Sequence, residues 1–143
     1  MRRILSSACA ILLLSACTSA TDTGAGEVAA STLRSEYSLP AGGGAVSVDF
    51  AVTNGTVEKI HVSRCGERIT VAVQRREAGE WKEHDGTACI AVLPMVPLTL
   101  DPSATAAGAF EVREPGEYRF QVLYAPGDHD ALARVTSTPF TVR

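Results

Sequence analysis

Short runs of alternating apolar and polar residues recur from Leu33 to Arg143. The clearest lie at residues 46–52, 69–73 and 118–124. A period of two places every second side chain on one face of a β-strand. Turn-forming dipeptides such as Asn54-Gly55, which favours the positive φ angles of a tight hairpin, separate the runs. Seven to nine short strands at this spacing predict an all-β domain, a sandwich or a barrel.

The predicted domain occupies residues 33–143, which is long enough for one hydrophobic core. No internal repeat and no convincing helical pattern occurs in it. The stretch before it, residues 18–31, is rich in Thr, Ser, Ala and Gly, and Val28 is its only larger aliphatic residue. Such a composition cannot bury a core, so residues 17–32 are predicted to form a flexible tether.

The chain begins like a secretory signal peptide. Met1-Arg2-Arg3 is cationic, and residues 4–16 form an apolar run broken only by serines. That run is too short to cross a bilayer core, which takes about 20 helical residues. A charged start, a short apolar segment and small residues before a break are typical of a cleaved signal, here residues 1–16.

The break resembles the lipobox of bacterial lipoproteins, because Leu14-Ser15-Ala16-Cys17 has a Leu, two small residues and a Cys in succession. The resemblance implies cleavage before Cys17 and lipidation of its thiol, which would anchor the domain to a membrane. It implies a place in the bacterial cell envelope, outside the cytoplasm. Thr18, where an Asp would favour inner-membrane retention, favours the outer membrane in a Gram-negative host. A plain cleaved signal without lipid is the alternative.

The charge balance argues against nucleic-acid binding. The chain has 13 basic and 16 acidic residues. Removing residues 1–16 would remove Arg2 and Arg3 and no acid, leaving a net charge of −5. Proteins that bind nucleic acids draw most of their affinity from Lys and Arg on phosphates. We therefore expect no nucleic-acid partner.

The four cysteines divide according to the compartment. Cys9 would leave with the signal and Cys17 would carry lipid, so Cys65 and Cys89 remain. Outside the cytoplasm such a pair usually forms a disulfide. A redox pair is an alternative, but the short Cys-x-x-Cys spacing is absent. A metal site formed with a histidine is another, although the short ligand spacings are absent too.

An aromatic residue after a turn favours an immunoglobulin-like sandwich over a barrel. Tyr118 follows Glu114-Pro115-Gly116 at the start of an alternating run. This resembles the tyrosine corner of immunoglobulin-like domains, in which the phenol holds the preceding loop. Trp81 is the only tryptophan, and it is expected to pack as a large apolar body across the sheet.

Motifs that could carry chemistry are few. Asp128-His129-Asp130 in a loop could hold a cation, although such a cluster is more often a polar turn. His61 and His84 are expected to face solvent. Asn54-Gly55-Thr56 matches the glycosylation pattern, but a hairpin turn is the favoured interpretation. No nucleophile elbow or triad order is found, so the chain is predicted to be no enzyme and to need no cofactor.

A second resemblance concerns the layout of the domain. Small bacterial immunoglobulin-like domains related to the intracellular proteinase inhibitor of Bacillus have a strand ending in Thr-Asn, then Gly-x-Trp, Leu-x-Pro and Pro-Gly-x-Tyr. This chain is similar in Thr53-Asn54, Gly79-Glu80-Trp81, Leu98 to Pro102 and Pro115 to Tyr118. The resemblance implies the sandwich fold and one candidate role, protease inhibition.

Three functions follow from these patterns. The first is a membrane-anchored, non-enzymatic envelope lipoprotein whose domain binds another protein. The second is a surface-tethered protease inhibitor, whose binding loop would be Pro94, Met95, Val96 and Pro97, although a stiff crossover explains these residues as well. The third is a cation- or small-ligand-binding module that uses residues 128–130.

Overall fold

The computed structural model describes residues 26–86, 96–127 and 131–143, and every regular element in these ranges is a β-strand. The all-β prediction is therefore confirmed for this part of the chain. The strands are β1 (Val28–Thr32), β2 (Glu36–Tyr37), β3 (Val46–Asn54), β4 (Ile60–Val62), β5 (Arg64–Cys65), β6 (Arg68–Ile69), β7 (Val71–Glu77), β8 (Glu80–Gly86), β9 (Leu98–Leu100), β10 (Thr105–Val112), β11 (Gly116–Pro126), β12 (Ala133–Thr136) and β13 (Phe140–Val142).

The smaller of the two main sheets has the order β1-β3-β10, with β3 antiparallel to both neighbours. Val48, Phe50 and Val52 of β3 are buried, while the residues between them face outward. This is the alternation that the sequence showed, and it orients one face of the sheet towards the core.

The larger sheet is built around β11. On one side β11 pairs with β13 and β12, and on the other with β7 and β4. Beyond these lie β2, which pairs with β13 in parallel, and β8 and β9, which pair with β7 and β4. The small hairpin β5-β6 lies between β4 and β7 in the chain. Because short segments such as these interrupt the longer strands, the described residues alone contain thirteen strand segments, more than the seven to nine expected.

One core joins the buried faces of the two sheets. The ring of Phe50 in the smaller sheet lies 4.9 Å from that of Phe120 in the larger sheet. Phe110 contacts Phe120 and Phe140 across the same gap, at 5.6 and 6.1 Å. Burying one such side chain contributes about 1.5–3 kcal/mol, so this aromatic cluster is a major part of what holds the sheets together.

The predicted boundary between tether and domain is wrong. Strand β1 begins at Val28, inside the stretch assigned to the tether, and all five of its residues pair with β3. Its small side chains bury little area, although Ala30 reaches the core with 8% exposure. Pairing of its backbone with β3 stabilises the strand, although its composition provides few apolar side chains to bury. The predicted signal 1–16, Cys17 and Thr18 lie outside the described residues.

Asn54-Gly55 does not form the predicted hairpin turn. It leads from β3 in the smaller sheet to β4 in the larger one, and neither residue has a positive φ. Asn54 is fully buried. Its Nδ2 donates to the carbonyl oxygens of Glu58 and Leu100, at 2.8 and 3.0 Å. Its Oδ1 accepts from N and Oγ1 of Thr56. The side chain thus fixes a corner between the sheets, and its amide is not available for glycosylation in the folded protein.

Candidate functional site: the outer face of the larger sheet

Trp81 lies on the outer face of the larger sheet, which corrects the expectation that it packs in the core. It is only partly buried, and it is the direct cross-strand partner of Arg76. The two-residue turn Ala78-Gly79 joins β7 to β8, with φ angles of 49° and 89°. Such a turn fixes the register of a hairpin. This register places Trp81 on the side of the sheet opposite the buried Val71 and Val73.

Two arginines hold the indole. The guanidinium carbon of Arg119 lies 4.6 Å from the centre of the Trp81 ring, and that of Arg76 lies 5.7 Å from it. Cation–π contacts of this kind contribute about 0.5–1 kcal/mol each at exposed sites. We call Trp81, Arg76 and Arg119 the tryptophan platform. Its members come from three neighbouring strands, so the hairpin register and the pairing of β7 with β11 together assemble it.

Polar neighbours orient the arginines of the tryptophan platform. Arg119 Nε donates to Gln74 Oε1 at 2.7 Å, and Arg76 forms an ion pair with Glu117 at 3.2 Å. Within the described ranges, no carboxylate forms an ion pair with Arg119. The platform therefore presents an aromatic ring and, at Arg119, a guanidinium that no carboxylate of the described residues neutralises.

A cleft of about 540 Å³ adjoins the tryptophan platform. Gln74, which accepts the hydrogen bond from Arg119, also lines the cleft, and Ala72 and Leu123 are apolar residues of the cleft wall. Polar side chains around these include Glu83, Gln121 and Arg134. The cleft thus offers acceptors, donors and an apolar surface close to an aromatic ring, a combination suited to binding.

The phenol of Tyr118 forms a hydrogen bond with the loop that precedes β11. Its side chain is fully buried, and its Oη donates to the carbonyl oxygen of Glu114 at 2.9 Å. Desolvation raises the pKa of the phenol; the nearby Arg75 lowers it and Glu114 raises it. Arg75 also bonds Glu114 and the carbonyl oxygen of Pro115, so the loop before β11 is held from two directions.

Of the two cysteines in the predicted disulfide, the structure describes Cys65, which lies in β5. Cys65 is buried, with 4% exposure, and is disulfide-bonded. Cys9, Cys17 and Cys89 all lie outside the described residues. The pairing of Cys65 with Cys89 stays a prediction.

The predicted binding loop and cation loop are described only in part. Pro94 and Met95 lie outside the described residues, whereas Val96 is 48% exposed and Pro97 is exposed. The carbonyl oxygen of Val96 accepts a hydrogen bond from Arg64 Nε at 3.3 Å. Asp128, His129 and Asp130 also lie outside.

The described histidines occur without metal-binding neighbours. Among residues 26–86, 96–127 and 131–143, no three His, Cys, Asp or Glu side chains are grouped so that they could hold a metal. His61 lies in β4 and its Nδ1 is 3.0 Å from Thr99 Oγ1. His84 is exposed, as expected, although its ring lies 5.5 Å from that of Tyr118.

No helix that could cross a membrane occurs among residues 26–86, 96–127 and 131–143.

The sequence did not reveal the tryptophan platform. The alternation in residues 71–77 and 118–124 places Arg76 and Arg119 outward, but it does not say which outward residues become neighbours. That depends on the register of β7 against β8 and β11. A sequence signal did exist, since Gly79 two residues before Trp81 marked the turn that fixes this register.

Comparisons with known proteins identify no family. No family model matches the chain, and no curated protein matches it. Among solved structures it is similar to a family 123 glycoside hydrolase from Clostridium perfringens, with a TM-score of 0.38 and 8% identity. The match covers 82% of this chain and 27% of the hydrolase chain, so the chain spans about a quarter of that protein's length.

Proposed function

We propose that this chain is a lipid-anchored, non-enzymatic protein of the bacterial cell envelope that binds a protein partner through the tryptophan platform. Anchoring rests on Leu14-Ser15-Ala16-Cys17 and the apolar run before it. Lipid chains on Cys17 would hold the protein at a membrane, in a Gram-negative host the outer membrane, with its β domain outside the cytoplasm.

The domain is proposed to be an immunoglobulin-like β-sandwich. Two observations support this: two sheets share one core, and Tyr118 bonds back to Glu114. Two sheets packed face to face, with a tyrosine that bonds back to the loop before a central strand, are features of that fold.

The observation that carries the binding role is the tryptophan platform itself. A half-buried Trp on an outer sheet face adds nothing to the core. Trp and Arg are the residues most enriched among those that dominate the energy of protein interfaces. Arg76 and Arg119 hold the indole in one orientation before any partner arrives, so less entropy is lost on binding.

The binding role is tested by capturing partners from envelope extracts with the anchored protein and with its Trp81→Ala variant. If Trp81 dominates the interface, truncation costs about 2 kcal/mol or more, and recovery of the partner falls about thirtyfold. Val57→Ala is the matched control, because Val57 is 89% exposed in the loop between β3 and β4 and should leave recovery unchanged. Equal recovery with Trp81→Ala and the parent protein would contradict the proposal.

Anchoring is tested separately. Cells that express the full chain should incorporate labelled palmitate into it, and Cys17→Ser should abolish both the label and the membrane association. Membrane association of an unlabelled protein would show that something other than lipid on Cys17 holds it there.

A further inference from the structure

The cleft beside the tryptophan platform has a floor that crosses four strands, β8, β7, β11 and β12. Backbone pairing between these strands fixes the side chains in place before any ligand arrives, which lowers the entropy lost on binding. The described residues that line the cleft include none of the three platform residues. Across the strands, the lining residues pair as Gln74 with Glu83, Ala72 with Gln121, and Leu123 with Arg134.

Four polar side chains of the cleft have hydrogen-bonding groups that the described residues do not use. The amide nitrogen of Gln74 donates to none of them. Gln121 donates through Nε2 to Thr136 Oγ1 at 3.3 Å, and its Oε1 accepts from none of them. Glu83 and Arg134 form no ion pair within the same residues. The cleft therefore contains both donors and acceptors that a ligand can use.

The charges of the lining select neither a cation nor an anion. Glu83 and Asp85 are acidic, Arg134 is basic, and the guanidinium of Arg119 lies next to Gln74, to which it donates at 2.7 Å. A charged ligand would meet repulsion as well as attraction here, because both signs occur in the same small area. In the described part of the chain, no three side chains are grouped to hold a metal. The lining therefore favours a ligand that is polar but neutral.

The position of the cleft on a sheet face argues against an added peptide strand as that ligand. Strand addition uses the free N–H and C=O groups of a strand edge. In the floor of the cleft these groups serve the sheet, since β7 and β11 each pair with a strand on both sides. The floor thus offers its ligand side chains and not main-chain groups.

The chemistry of these side chains matches that of a sugar. Amide, carboxylate and guanidinium groups are planar, and each has two hydrogen-bonding atoms side by side. That spacing suits two hydroxyl groups on adjacent carbons of a sugar ring. The apolar residues Ala72 and Leu123 provide a surface for the carbon-bound hydrogens of the ring. The cleft volume of about 540 Å³ lies within the range of small-ligand pockets, about 300–1,000 Å³.

We propose that this cleft binds a neutral oligosaccharide. Hydroxyl groups of the sugar bond to Gln74, Glu83, Gln121 and Arg134, and a C–H face of the ring lies on the apolar floor. This inference goes beyond the protein-binding role of the tryptophan platform. The two sites consist of different residues, so either can fail without the other.

The test exposes the full chain to an array of neutral oligosaccharides built from hexoses, pentoses and N-acetylhexosamines, with oligosaccharides of uronic acids on the same array. Titration calorimetry then measures the affinity of each sugar that binds. At least one neutral sugar should bind, and rising salt should not weaken its binding, because no ion pair is formed. Binding confined to the uronic acids, or no binding at millimolar concentration, would overturn the proposal.

Variants of the lining locate the sugar. Glu83→Ala and Gln121→Ala each remove hydrogen bonds and should weaken sugar binding about tenfold. Glu83 is exposed, so its truncation leaves the fold intact. The matched control is Glu80→Ala, because Glu80 is an exposed glutamate of the same strand that is not among the lining residues, and it should leave the affinity unchanged. Equal affinity of the parent protein and all three variants would show that the sugar binds elsewhere and would overturn the proposal.

Partner capture from envelope extracts separates the two sites. Glu83→Ala and Gln121→Ala should leave the recovery of a protein partner unchanged, whereas Trp81→Ala should lower it. If the two cleft variants lower recovery as Trp81→Ala does, and no sugar binds, the cleft is part of the protein interface and the proposal is wrong. If a sugar binds in the cleft and no protein is captured, the oligosaccharide site stands and the protein-binding role fails.

Discussion

At the scale of single residues, Asn54 shows how one buried polar side chain can set a chain path. Its amide bonds four groups around the corner from β3 to β4. A Cβ on the adjacent Gly55 would overlap the carbonyl oxygen of Glu27. The dipeptide is therefore required for a close approach of two backbone segments, which is a different use of Asn-Gly from the hairpin turn.

Asn54→Ala should lower the free energy of unfolding by about 2–4 kcal/mol, because it leaves the buried Leu100 carbonyl without its donor and removes the acceptor of Thr56. Denaturant unfolding measures the loss. The control is Thr53→Ala, which removes an exposed hydroxyl contact with Thr105 and should cost about 0.5 kcal/mol or less. Equal effects of the two variants would show that the Asn54 network contributes nothing beyond an ordinary surface contact.

At the scale of elements, the sequence predicted strands well where alternation alone decides burial. Strand β3 is an example, because every second residue from Val48 to Asn54 is buried. Prediction failed where pairing with a neighbouring strand decides whether a segment becomes a strand or which face a side chain occupies. Strand β1 has few apolar residues and exists through its pairing with β3. Trp81 was assigned to the core by its size, but the register of the β7-β8 hairpin places it outside.

The turn that fixes this register contains a strained residue, which gives a prediction at the same scale. Ala78 has a φ of 49°, a left-handed conformation that costs an alanine about 1 kcal/mol. Asn tolerates it and is preferred in such turns. Ala78→Asn should therefore raise the free energy of unfolding by about 0.5–1 kcal/mol.

Thermal and denaturant unfolding measure the gain from Ala78→Asn. Ala41→Asn is the matched control, because Ala41 is exposed in a turn but has no positive φ, and it should change stability little. A loss of stability in Ala78→Asn would indicate that the alanine methyl, and not the backbone conformation, matters at this turn.

At the scale of the whole molecule, the early start of β1 limits how far the domain can move from a lipid anchor. If Cys17 carries lipid, residues 18–27 are all that separate it from β1. Ten residues reach at most about 35 Å when fully extended. Under the proposed anchoring, the tryptophan platform would act on partners that lie close to the membrane surface.

The disulfide of Cys65 gives the last prediction. If its partner is Cys89, the bridge closes a loop of about 25 residues, and removing it should lower the free energy of unfolding by about 3.5 kcal/mol in the chain-entropy model. Mass spectrometry of the unreduced, digested protein should find one peptide pair that contains Cys65 and Cys89, separable by reduction. Cys17→Ser is the control and should leave both the pair and the stability unchanged. A link from Cys65 to Cys9 or Cys17 would contradict the predicted division of the cysteines, and with it the signal and lipid assignments on which that division depends.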